Sequence, residues 1–236
     1  MITDRFEDLA QMSYTQDRPL DSDFLTPEEF SAFLTIKDRL SYAQPTVYQE
    51  DWERKLVHFG PGQPDLALLE ITSTAPSFVR LAHPDYLGAL LGLGLDRKVT
   101  GDIIAFPDKA YVFVKGHVVD FITDNLSQVG KARVEVRVIE NLPEEARPKS
   151  EEVQIIVSSL RLDRVVSTLF RLSRGKAQEA IREGLVYVNG LQTTRDHYTI
   201  EEGQRISFRH KGKARFLQVV KETKKGSLVL SFLRYS

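Results

Sequence analysis

The sequence predicts a multi-domain α+β protein with an acidic, mainly helical part over residues 1–63, a βαββαβ segment over 64–150 and a basic module over 151–236. Three observations predict it. Apolar residues recur with helical spacing in the first part, fall into short strand-like runs separated by helical stretches in the middle, and return to helical spacing for two short helices near residue 160. Charge follows a gradient: Lys and Arg number 7 against 14 Asp and Glu in residues 1–80, 9 against 10 in 81–150, and 16 against 9 in 151–236. The formal net charge of -1 hides this separation, and a basic end on an acidic chain points to a polyanion partner. Finally, NLPEEARPKSEE at 141–152 has two prolines, dense charge and few apolar residues, the composition of a linker.

Composition sets the outer limits. The 236 residues are 42% hydrophobic and 28% charged, and no apolar run reaches the ~20 residues that span a bilayer. The acidic, amphipathic start MITDRFEDLA does not read as a secretory signal, so a cytoplasmic protein, and a monomer, is expected. With no cysteine there are no disulfides or thiolate metal sites, and the five histidines lack ligand spacing. No metal or cofactor is therefore expected.

The first part opens with Thr3 as a candidate cap for DRFEDLAQM. TPEEFSAFLTIKDRL carries a fuller start signal, with Thr26 as N-cap, Pro27 as first helical residue and Glu29 closing a capping box. ERKLVHFG then reads as a strand before the turn GPGQP. The acidic residues here are expected to form a solvated helix surface, with contact to a protein partner as the second choice.

In the middle, DLALLEITS is strand-like, HPDYLGALLGLGL helical, DIIAF and KAYVFVKG strand-like, HVVDFITDNLSQV helical and RVEVRVIE an alternating strand. That order is the ferredoxin-like plait, which RNA-recognition modules also use, with aromatics on a central strand stacking bases. Tyr111 and Phe113 share one face of the third strand, so base stacking is an expectation for them, beside the plainer one of core packing. Gly92 and Gly94 do not make a dinucleotide fingerprint. Arg97 stands where the third glycine belongs, and the pair follows a helix instead of a strand. Asp85, Asp96 and Asp102 are spaced as caps and loop charges, not as an acid/base pair.

The basic module begins with RLDRVVSTLFRLSRGKAQEAIREGLVYVNG at 161–190. Leu162, Val165, Val166 and Leu169 make an apolar stripe on a short helix, with Arg161, Arg164 and Arg171 on the other side. Ser173 can cap a second helix that Gly184 ends, and Asn189-Gly190 is a two-residue hairpin signal. Arg174 and Lys176 stand in the first turn of that second helix, where a cation typically costs ~0.3–1 kcal/mol against the helix dipole. An anion, with phosphate foremost, would relieve them.

RLD at 161–163, SRGKA at 173–177, the helix ending in Gly184, VNG at 188–190 and EEGQRISF from 202 resemble the S-four RNA-binding domain, also found in tyrosyl-tRNA synthetases, pseudouridine synthases and the heat-shock protein fifteen family. Gln204 stands where that pattern has Asp before its final strand. With the acidic start and the middle segment DYLGALLGLGLDRKVTGDI, the chain resembles the YlmH family of bacterial RNA-binding proteins, encoded near cell-division genes. The resemblance implies a ribosome-associated factor binding rRNA and tRNA, at large subunits obstructed by peptidyl-tRNA. It implies RNA contacts at Ser173, Arg174 and Lys176, extended by Arg161, Arg164 and Arg171, with Lys211, Lys213 and Arg215 on a neighbouring loop. Asp163 reads as a first-turn acid and Asn189-Gly190 as turn geometry. Two other functions compete. An RNA-modifying enzyme would need its chemistry in the first 150 residues, since only about 45 residues follow Gly190. A helix-turn-helix DNA binder would not explain the hairpin directly after the two helices.

Overall fold

Thr3 lies too deep to cap the first helix. In the computed structural model, which describes residues 2–75 and 80–235, α1 (Ile2–Gln16) already contains it. Helix α2 (Pro27–Ile36) starts as its sequence dictates. The Thr26 hydroxyl accepts from the Glu29 amide at 3.2 Å, and the Glu29 carboxylate accepts from the Thr26 amide at 2.8 Å. A 3-10 helix follows over Lys37–Ala43. Phe6 and Ala10 of α1, Phe33 and Ile36 of α2, and Leu40 bury together against Val57 and Phe59. The part read as mainly helical also holds a small antiparallel sheet of β1 (Leu20–Asp21), β2 (Thr46–Tyr48) and β3 (Leu56–Phe59), with β3 central. Strands of two and three residues are too short to show periodicity, which is why only β3 was legible.

The middle segment contains β4 (Leu66–Ser73), α3 (His83–Gly92), β5 (Thr100–Ala105), β6 (Lys109–Lys115), α4 (Val119–Asn125), β7 (Gln128–Val129) and β8 (Ala132–Ile139). The sheet order is β5-β6-β4-β8-β7, every pairing antiparallel, and β4 lies directly beside β6 with Leu69 opposite Val112. Apart from the short edge strand β7, this is the plait. Its alternation splits the sheet into two buried faces. Leu69, Ile71, Val112 and Val114 pack against Tyr86 and Leu90 of α3 and Ile122 of α4. Leu68, Tyr111 and Phe113 leave the other side, where Phe24, Leu56 and Ala146 cover them.

The chain divides into two compact units, Met1–Arg147 and Pro148–Ser236. The expected linker at 141–152 is shorter than its composition suggests. Ala146 is buried in the first unit, and β9 (Ser150–Val157) starts within the stretch. Glu151 pairs with Arg234 and Glu152 accepts from Ser231, so the charges that read as linker are ladder residues.

In the second unit, α5 (Leu162–Leu169) and α6 (Arg174–Arg182) are followed by β10 (Val186–Val188), β11 (Leu191–Gln192), β12 (Arg205–Phe208), β13 (Gly212–Glu222) and β14 (Leu228–Tyr235). The six strands run β11-β10-β12-β13-β14-β9. Leu162, Val165, Val166 and Leu169 of α5 and Ala177, Ala180 and Ile181 of α6 bury against Val186, Ile206, Ala214, Phe216, Leu230 and Phe232. Each large apolar side chain so buried contributes ~1.5–3 kcal/mol. Asn189 and Gly190 both have positive φ, 51° and 83°, and join β10 to β11 in the two-residue turn their sequence signals.

Candidate nucleic-acid interface

Between α5 and α6 the backbone turns over the four residues Phe170, Arg171, Leu172 and Ser173. Arg171 takes the left-handed conformation (φ 55°), the Leu172 amide donates to the Ser167 carbonyl at 2.8 Å, and the Ser167 hydroxyl donates to the Leu172 carbonyl at 2.9 Å. An L-residue held there is strained by about 1–2 kcal/mol. Ser173 then caps α6, its hydroxyl accepting from the Lys176 amide at 3.3 Å. Arg171, Arg174 and Lys176 are exposed, and Arg161 and Arg164 are half-buried at the start of α5. The six residues expected on the helices therefore lie at the start of α5, in the turn and at the start of α6.

The centre of this cluster is a residue that sequence reasoning gave a lesser role. Asp163 is fully buried, with no side-chain surface exposed, while the side chains of Arg161 and Arg174 are 39% and 45% exposed. Arg161 donates to it through Nε at 3.1 Å and Nη2 at 3.2 Å. Arg174 donates through Nε at 3.0 Å, and Gln178 of α6 through Nε2 at 3.1 Å. Burial alone would raise the Asp163 carboxyl. The hydrogen bonds and charges of Arg161 and Arg174 outweigh burial and hold it below the usual carboxylate range, and the same contact raises Arg161. The available signal was position, since Asp163 sits beside Leu162 and one turn before Val166 on a short amphipathic helix.

Arg174 therefore does not stand in the first turn of α6 without a partner. A cation unfavourable to the helix dipole is stabilised there by a buried carboxylate from the neighbouring helix.

Lys211, Lys213 and Arg215 are placed differently from the expected loop. Only Lys211 is in a turn. Lys213 and Arg215 belong to β13 and alternate with Ala214 and Phe216, both buried under the helices, so they leave the sheet on the side away from α5 and α6. There they join Arg205, directly opposite Arg215 in the β12–β13 pairing, whose guanidinium lies 5.2 Å from the Tyr235 ring centre. Arg209 donates to the Tyr187 hydroxyl at 3.0 Å. The basic residues thus divide into a helix-side cluster and a sheet-side cluster. Sequence reasoning missed Arg205 and Arg209, because face assignment requires the strand register.

The stacking expectation for Tyr111 and Phe113 is overturned. Tyr111 is 1% and Phe113 8% exposed. The Trp52 ring packs 5.7 Å from Phe113, Phe106 packs edge-on to Tyr111 at 6.0 Å, and the Tyr111 hydroxyl donates to Glu145 at 3.2 Å. Their ring faces are occupied by this chain's own side chains, so no base can stack on them. The carboxylates set aside as catalytic candidates have structural partners. Asp85 accepts from the Ala82 amide, Asp96 from the Lys98 amide and Asp102 from the Arg54 amide, each at 2.8 Å.

Among the described residues, no group of His, Asp and Glu could hold a metal ion, and no helix is long and apolar enough to cross a membrane.

Two helices presenting arginines around a buried carboxylate, packed on an antiparallel sheet, define an S-four-type RNA-binding module, and residues 160–206 match the S4 domain. Residues 63–142 match the domain described as the putative RNA-binding domain in YlmH, and with both domains present the chain belongs to the YlmH family. A relative from Bacillus subtilis (strain 168), named ribosome-associated protein quality control protein P2, is 35% identical over 167 residues, 68% of this chain and 63% of that protein. The match thus spans less than two thirds of the relative's length. A solved structure described as cell division protein ylmH from Streptococcus pneumoniae is 18% identical, covering 59% of this chain and 89% of that one, with a TM-score of 0.47.

Proposed function

We propose that this protein is a non-catalytic RNA-binding factor of the bacterial cytoplasm that engages structured rRNA and tRNA on the ribosome, at large subunits obstructed by peptidyl-tRNA. The observation that carries the reading is the helix-side cluster, in which Arg161 and Arg174 are fixed on Asp163, with Arg171 and Lys176 exposed beside them. Arginine forks and a capped helix start suit phosphates and 2′-hydroxyls better than base edges, which favours shape-led recognition of RNA. The S4 domain, the match to a putative RNA-binding domain and the name of the Bacillus subtilis relative support the ribosomal setting. The acidic N-terminal part is available to a protein partner of the same assembly.

The test is an Arg171→Glu, Lys176→Glu double variant, which leaves the Asp163 contacts in place. Ribosome co-sedimentation and rRNA filter binding across a salt titration should show weaker binding, with the slope of log K against log salt smaller by roughly 0.7–0.9 per lost phosphate contact. Wild-type binding at every salt concentration would refute the reading. Mass spectrometry of rRNA and tRNA incubated with the protein should show unchanged nucleotides.

A further inference from the structure

Asp163 has a fully buried carboxylate within two short helices, an arrangement that stability alone does not explain. Burying an ion pair is often no better for stability than burying an apolar pair of the same volume. What the carboxylate does achieve is geometric. It accepts from Arg161 on α5 and Arg174 on α6, and Gln178 donates to the same oxygen as Arg174. Its backbone amide donates to the Asp196 carbonyl at 3.0 Å, which fixes Asp163 from the other side, and the Asp196 carboxylate in turn accepts from Arg182 at 2.9 Å.

The way the arginines are held decides what they can still do. Arg161 gives Asp163 its Nε and Nη2, and Arg174 gives it Nε alone. Nη1 of Arg161 and both Nη groups of Arg174 take no part in that contact, and a guanidinium has five N–H donors in a rigid plane. With one edge of each fork on a buried anchor, both arginines lose rotamer freedom before any ligand arrives, and the group of three keeps a net charge of +1.

We propose that Asp163 is a positioning residue for RNA: it aligns Arg161 and Arg174 into one preorganised receptor for a backbone phosphate, acting through the two arginines and not on the ligand itself. This rests on the reading that the helix-side cluster binds RNA.

The test uses a conflict of sign. Asp163→Asn removes a negative charge from a cluster that meets a polyanion, so electrostatics alone predicts tighter RNA binding. Positioning predicts the reverse, about tenfold weaker binding, because two long side chains must then be ordered by the ligand. Full-length wild type and variant are titrated with purified rRNA at two salt concentrations, and the side-chain Nε–H signals of Arg161 and Arg174 are followed by NMR.

Weaker binding by a folded variant, with those two signals lost to solvent exchange, supports the proposal. Equal or tighter binding by a folded variant overturns it. If Asp163→Asn does not fold, the decision passes to Arg161→Lys and Arg174→Lys, which keep the charge and an ion pair to Asp163 but lose the planar fork. Severalfold weaker binding by each supports the proposal, and unchanged binding overturns it. Normal binding by the Arg171→Glu, Lys176→Glu variant would instead remove the RNA face on which the proposal rests. Loss in that variant beside tighter binding by Asp163→Asn sinks the positioning role alone.

Discussion

Phe113→Ala separates a core role from a stacking role on the plait. Phe113 is 8% exposed and lies among Phe24, Leu56, Leu68 and Trp52. Truncating a buried phenylalanine costs ~3–5 kcal/mol from lost transfer energy and the cavity left behind. For a unit of this size each kcal/mol shifts the melting temperature by roughly 2–4 °C, so a fall of about 6–20 °C is expected. The chain has one tryptophan, and its ring packs against Phe113 at 5.7 Å, so intrinsic fluorescence reports the site directly. Trp52 emission should move to longer wavelength in the variant, and saturating RNA should leave wild-type emission unchanged. RNA affinity measured well below the melting transition should stay within about twofold. A stacking residue behaves oppositely, since losing base stacking costs ~1–3 kcal/mol of binding with little effect on folding. A melting temperature within 2 °C of wild type, together with a tenfold loss of RNA affinity, would refute the core reading.

Two further predictions concern charge in the interior. Lys115, with its side chain 9% exposed, donates to the Ser22 carbonyl at 2.9 Å and lies 3.5 Å from Asp21, which also meets His58 at 2.7 Å. Lys115→Met should destabilise by ~3–5 kcal/mol in urea titration, and adding Asp21→Asn should recover part of that loss, because most of the penalty is the charge left behind. The second prediction concerns acid. The folded pKa of Asp163 is depressed below the unfolded value of ~3.9, so its contribution to stability is fully present above that pH and is lost as pH falls through the folded value. Urea midpoints of wild type and Asp163→Asn, separated at pH 6, should converge toward pH 3. A constant gap would refute the assignment.

Much of this architecture was legible because it is local. Thr26, Pro27 and Glu29 define the start of α2 within four residues, Asn189-Gly190 defines a turn within two, and the short apolar runs at 66–73 and 109–115 and the alternating run at 132–139 announce their strands. The order βαββαβ then restricts the sheet to very few arrangements. What could not be read depended on distant partners. Tyr111 and Phe113 do share a face, as alternation requires, but Trp52 and Leu56, about 60 residues away, decide whether that face sees RNA or hydrocarbon. Lys213 and Arg215 in HKGKARF read as loop because His210, Lys211 and Gly212 precede them, and only pairing with β12 and β14 makes them strand. For the candidate site, the arginines were legible as a charged helix face. Their anchor was not, since a first-turn Asp looks the same in sequence whether it faces water or two guanidiniums.

The packing of Phe24, Leu56 and Trp52 onto the plait also has a consequence during synthesis. These three side chains leave the ribosome early, but the surface that buries them needs β4, β6 and Ala146. At ~5–20 residues per second, the roughly 80 residues between the end of the N-terminal part and Ala146 take about 4–16 s to be made. Through that interval an aromatic cluster built for a sheet that does not yet exist stays open to other contacts. The Pro148–Ser236 unit has a wait of its own, because β9 finds its strand partner only in β14, about 70 residues later in the chain. Each unit thus holds apolar side chains open for a late-made strand, and the nascent chain of both gains from safeguards such as a holding chaperone.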